Sequence, residues 1–151
     1  MTHDNFSDER LDPDILEREG LDAATVQAVG KVSEARETVE VARGLLYQFH
    51  RMTGTADFQL GEAARLLRKA GHDDLADEVE TEMVGRNVLP GRWTFQVVEG
   101  YDETYYEPLR DLQRRSLDLV NGHAHLFEAG LKRERRTTGE PGHEAEPNER
   151  G

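Results

Sequence analysis

Residues Asp22 to Met52 read DAATVQAVGKVSEARETVEVARGLLYQFHRM, a run without proline. Along it Val32, Ala35, Val39, Ala42, Leu46 and Phe49 recur three and four apart, flanked by Leu45 and Met52. That spacing predicts one long amphipathic helix with a narrow apolar seam, and the seam is expected to face a core. Glu34, Arg36, Glu37 and Glu40 fall on the other side. Gly30 and Gly44 each cost such a helix about 1 kcal/mol relative to alanine. Gly44 is expected to mark a close helix crossing or a slight bend.

Upstream, Asp12-Pro13 is a helix start, because aspartate caps and proline suits the first helical position. That short helix is expected to end by Gly20, with Asp22 opening the long one. Downstream, Thr53-Gly54-Thr55 is expected to break the long helix and Asp57 to cap the next. The next carries Leu60, Ala63, Ala64, Leu66 and Leu67 and stops at Gly71, a favoured residue just past a helix end. Asp73 caps another with Leu75, Ala76, Val79 and Met83, ending near Gly85. These two read as a tight antiparallel hairpin. The final helix is expected to begin between Thr104 and Pro108, with a seam of Leu109, Leu112, Leu119, His123 and Leu126.

The predicted fold is therefore all-α: an irregular four-helix bundle of two long helices plus a short helical hairpin, with a long ordered crossover before the last helix. Residues 12–136 form the expected helical domain. Residues 1–11 are polar and acidic, and residues 137–151 carry no large apolar side chain. Both ends are expected to be disordered.

Composition narrows the function classes. The net charge is -12, from 31 acidic and 19 basic residues, which repels phosphate backbones and argues against nucleic-acid binding. The run Lys132 to Arg136 is read as a solvated helix end, favoured by the helix dipole. With no cysteine, thiol and disulfide chemistry are excluded, and a cytoplasmic setting is the easiest fit. No apolar run approaches the roughly 20 residues of a membrane span, and the N-terminus has no signal-peptide pattern.

The crossover Arg86–Pro108, RNVLPGRWTFQVVEGYDETYYEP, holds five of the ten aromatic residues. Long structured connections in small domains are uncommon and often functional. The favoured reading makes Trp93, Phe95, Val97 and Val98 an extended cap folded back over the bundle. A second reading places Arg86, Arg92, Trp93, Tyr101, Glu103, Tyr105 and Tyr106 around a pocket for a small anionic ligand, since guanidinium pairs bidentately with carboxylate or phosphate. A third makes the segment an exposed edge that binds a partner. Helices of alternating direction would also bring His50 near Glu103, Tyr105, Tyr106 and Glu107, a set able to move a proton. The plainer expectation is a half-buried His50 bonded to a tyrosine or a carbonyl.

Paired Glu-x-x-His motifs, phosphate-binding glycine loops and nucleophile elbows are all missing. No metal or cofactor is expected. The chain is thus read as a non-catalytic binding or protein-interaction module with a protein partner, and a separate possibility is a homodimer joined through the seam of the first long helix. The alternative is a small enzyme or ligand sensor, with its site between the His50 helix end and the crossover.

Overall fold

The computed structural model describes residues 11–145. It is all-α, as the periodicity predicts. The helices are α1 (Pro13–Glu19), α2 (Ala23–Lys69), α3 (Asp73–Glu82), α4 (Thr94–Tyr101), α5 (Glu107–Ser116) and α6 (Leu126–Arg135). A π-helical turn, Asp102–Tyr106, joins α4 to α5, and a 3-10 turn, Leu117–Val120, ends α5. None of these helices is long and apolar enough to cross a membrane.

The sequence-read caps operate locally. The Asp12 carboxylate accepts from the Asp14 amide at 2.9 Å, Pro13 occupies the first position of α1, and Gly20 ends it at φ 66°. Asp22 accepts from the Thr25 amide at 2.8 Å and its hydroxyl at 2.7 Å, so the first amides of α2 are satisfied. Gly71, at φ 86°, makes the turn from α2 into α3.

Thr53-Gly54-Thr55 does not break the helix. α2 runs unbroken for 47 residues, and the hydroxyls of Thr53 and Thr55 donate back to the carbonyls of Phe49 and Arg51 at 2.8 and 3.1 Å. The hydroxyls are thus satisfied within the helix, an arrangement that weakens it only slightly. Asp57 consequently lies mid-helix and caps nothing on α2. It accepts instead from the Gly85 amide at 2.7 Å, fastening the end of α3. The second long helix is likewise replaced by α4, the π-turn, α5, the 3-10 turn and α6 in succession. Asn121 at φ 54° and Gly122 at φ 79° stop the 3-10 turn, while Leu112 and Leu119 of the expected final seam are exposed.

Where the sequence suggests one body over 12–136, the chain falls into two compact units, residues 39–108 and the flanking segments before and after them. In the flanking unit, Leu11, Ile15, Val26, Val29, Val120, Leu126 and Phe127 form a continuous core. Leu11 thus belongs to the core and not to a disordered end. Ala145 is also buried, and Glu140 donates to the Thr137 carbonyl at 3.3 Å, so the stretch 137–145 holds turns. The expectations for 1–10 and 146–151 lie outside the described residues. Arg133 of α6 donates to Asp12, tying the two ends of this unit.

The close crossing predicted for Gly44 occurs at Gly30. A Cβ built there would lie 3.0 Å from the Phe127 ring, whereas one at Gly44 meets nothing within 4 Å. Gly44→Ala is therefore expected to raise the unfolding free energy by about 0.5 to 1 kcal/mol. The measurement is a higher urea midpoint with an unchanged slope. Gly30→Ala is expected to show no such gain, since the ring must move aside.

Candidate functional site

The exposure pattern along α2 shifts the inward face part of the way round from the one the sequence suggested: Val32, Val39 and Leu46 of the expected seam are half-buried, and its other members are exposed. Ala35, Ala42, Leu45, Phe49 and Met52 are exposed, while Arg43, Leu46, His50, Thr53, Asp57, Leu60, Ala64 and Leu67 are buried or half-buried. Those eight residues are spaced alternately three and four apart, which places them on one stripe of the helix. Within residues 39–108 this inward stripe mixes polar Arg43, His50, Thr53 and Asp57 with apolar Leu46, Leu60, Ala64 and Leu67, and its polar members Arg43 and His50 meet partners from the crossover.

At one end of the stripe Arg43 donates bidentately to Asp102, Nε to Oδ1 at 2.8 Å and a terminal nitrogen to Oδ2 at 3.0 Å. Its guanidinium lies over the Tyr106 ring at 4.5 Å and near the Tyr47 ring at 5.0 Å. Tyr106, itself buried, donates its hydroxyl to Glu40 at 2.7 Å. The hydrogen bond from Arg43 holds the Asp102 carboxyl below the usual aspartate range, against a smaller opposing push from burial. The same bond raises the Arg43 pKa. Planar pairing plus stacking on aromatic faces is what arginine provides and lysine does not.

This array depends on the π-turn. Pro108 has no amide hydrogen and its ring crowds the carbonyl four residues back, so a regular α ladder cannot pass it. The chain instead closes a wider loop, with the Glu107 amide donating to the Asp102 carbonyl. Single π-turns often mark functional sites. Thr104 and Glu107 consequently form no capping box, because the helix is continuous through them.

Further along the stripe, His50 Nδ1 and Thr94 Oγ1 share a hydrogen bond of 2.6 Å, and the Phe95 ring lies 4.4 Å from the imidazole. His50 therefore takes a hydroxyl and an aromatic neighbour, not the Glu103, Tyr105, Tyr106 and Glu107 set inferred from alternating helices. The reason is that the segment expected to be extended is helical. Pro90-Gly91 makes a tight turn, with Gly91 at φ 69° as its third position requires, and Arg92 donates back to Leu89 at 3.0 Å. Gln96 then reaches back to the Trp93 amide at 2.8 Å, opening α4. Trp93 and Phe95 are exposed at 64% and 61%, so they do not form the expected buried cap. Val98 and Tyr106 are the crossover residues that are buried.

The remaining candidates divide between two hollows. One, of about 490 Å³, lies between α2 and the segment after α3, lined by Ala56, Asp57, Leu60, Met83, Arg86 and Trp93, among others. The other, of about 400 Å³, is lined by Arg92, Tyr101 and Glu103 with neighbouring residues. Tyr105 is exposed and stacks on Tyr101, with ring centroids 5.6 Å apart. The eight sequence candidates thus do not converge on one pocket. Glu40, Arg43 and Asp102 escaped the sequence reading. Their separation of about sixty positions leaves no local signal, and an arginine on an inward stripe resembles any solvated charge.

Comparison with family models, with curated proteins and with solved structures gives no match. Among the described residues, no group of three or more His, Asp or Glu could hold a metal ion. The site must be read from its own chemistry.

That chemistry is dominated by exposed apolar surface. Among the described residues of 39–108, the buried hydrophobic side chains are Ala64, Ala76, Val98 and Tyr106. Thirteen large ones are exposed, including Leu45, Phe49, Met52, Phe58, Met83, Trp93 and Phe95. Among its described residues the flanking unit has the opposite balance, nine buried against three exposed.

Proposed function

We propose that residues 39–108 serve as a non-catalytic protein-interaction module. The observation behind this reading is the excess of large exposed over buried apolar side chains in one unit and the reverse in the other. Scattered exposed leucines need no explanation, but a continuous apolar face on one unit marks an interaction surface. The polar array of Glu40, Arg43, Asp102 and Tyr106 acts here as an internal clasp that holds the crossover against α2. Its groups are already bonded to one another, which supports a structural role over proton transfer.

A photo-crosslinking amino acid at Met52 in the cell is expected to capture a protein chain, and the same group at exposed Glu128 is expected to capture none. Equal, background-level capture at both positions would overturn the proposal. A second reading is favoured by the hollow between α2 and Trp93, whose indole and Arg86 suit a planar anion. Titration with an aromatic carboxylate, followed by Trp93 fluorescence, tests it. No change at millimolar ligand would remove it.

A further inference from the structure

The exposed face of α2 has its own regular register. Ala42, Leu45, Phe49, Met52, Ala56, Gln59, Ala63 and Leu66 follow one another three and four apart. This is a second heptad seam, about 100° around the helix from the stripe that meets α3 and α4. All but Ala63 are exposed, Met52 at 70%. More than three heptads of a and d positions, apolar at all but one, are the signature of a partner helix. A hollow lined by Leu45, Gln48, Phe49, Met52, Thr53 and Ala56 opens along this seam. It shares Thr53 and Ala56 with the hollow at Trp93, so the apolar surface is continuous.

Building on the interaction reading above, we infer that the partner is a second copy of this chain, whose α2 packs antiparallel on the same seam. Charge supports a like partner. The chain is 33% charged, yet between Gly44 and Gly61 only Arg51 and Asp57 carry charge, and Asp57 is bonded to the Gly85 amide. Two copies that each carry -12 can approach along this strip, where repulsion is weakest.

Shape supports the antiparallel sense. With a two-fold axis beside Thr55, Leu45 meets Ala63 of the other copy, Met52 meets Ala56, and Ala42 meets Leu66. In these three layers a large side chain faces a small one, which suits a self-complementary two-fold contact. Phe49 faces Gln59, a single polar core position of the kind that fixes register. In the flanking row Gln48 faces Glu62, Val41 faces the stem of Lys69, and Thr55 faces itself. A parallel pair would instead set Phe49 on Phe49 and Lys69 beside Lys69.

The test uses the full chain, whose lack of cysteine makes introduced thiols unambiguous. Sedimentation equilibrium from low to hundreds of micromolar is expected to show a dimer, and Met52→Glu is expected to weaken it about tenfold or more. Met52 is exposed in the single chain, so helix content, and melting at concentrations low enough that both proteins are monomeric, should be unchanged in the variant, keeping loss of dimer distinct from loss of fold. Under mild oxidation Thr55→Cys should link to its own copy. Gln48→Cys and Glu62→Cys should each stay unlinked alone and link when mixed. A wild-type monomer throughout the range, a dimer indifferent to Met52→Glu, or thiols that link in another pattern would each overturn the inference. A monomer whose Met52 still captures a different protein in the cell overturns the second-copy inference alone. A monomer that captures nothing removes the interaction reading too.

Discussion

Phe127→Ala is expected to lower the unfolding free energy by about 3 to 5 kcal/mol, among the largest losses a single substitution can cause in this chain. Phe127 is 6% exposed and packs with Leu11, Ile15, Val26, Val29, Val120 and Leu126. Its ring also fills the approach to Gly30. Neighbours from four separate stretches of chain converge on it, so none can move inward to fill the space without leaving its other contacts. Urea unfolding measures the effect as a midpoint shift at constant slope. Phe127→Leu, which keeps much of the volume, is expected to recover more than half of the loss. A change below about 1 kcal/mol for Phe127→Ala would mean that this core does not hold the flanking unit together.

The second large effect is expected at the clasp. Asp102→Asn keeps the shape of the side chain and removes the charge that Arg43 pairs with. The expected loss is about 1 to 2 kcal/mol, at the low end for hydrogen bonds to charged groups. The two side chains retain 27% and 25% of their surface in solvent, which screens the pair. The pH dependence has a definite sign. Folding depresses the Asp102 pKa, so its contribution is complete above the unfolded aspartate value of about 3.9 and is lost as pH falls through the lower folded value. The gap in stability between wild type and Asp102→Asn should therefore be constant from pH 7 to about pH 5 and close only in stronger acid. A gap that instead narrowed between pH 7 and pH 6 would assign the effect to a group other than Asp102.

Much of the secondary structure was legible because its causes are local. Asp12, Pro13, Gly20, Asp22 and Gly71 act within one or two turns of the chain, and each does in the structure what its chemistry predicts. The failures are also physical. Thr53-Gly54-Thr55 reads as a break by propensity, but the burial of Thr53, Asp57 and Leu60 along the inward stripe outweighs a cost of about 1 kcal/mol. The RWTFQVV run alternates in period two and still forms a helix, because Gln96 satisfies the Trp93 amide at its start. Pro108 marks a start in sequence terms, whereas in the chain it widens one turn of a helix already under way.

The candidate site was partly legible. The aromatic crossover and Arg86 with Trp93 were found by density and by charge, but their arrangement was not. His50 and Thr94 are 44 positions apart, and Arg43 and Asp102 are 59 apart. No pattern within a helical turn encodes pairings of that range.

By itself the sequence determined that the chain is helical, where most helices start, and that α2 carries an apolar heptad seam. These follow from periodicity and capping, which depend on residues within about four positions of one another. Only the tertiary structure decided which face of α2 turns inward. The choice fell on the stripe of Arg43, His50 and Asp57, because the crossover supplies Asp102 and Thr94, and the end of α3 the Gly85 amide, to match them. Burial is decided by which neighbour arrives, and within residues 39–108 polar partners arrive for Arg43, His50 and Asp57 beside the apolar Leu46, Leu60 and Ala64 of the same stripe. Ala42, Leu45, Phe49, Met52 and Ala56 are left facing outward.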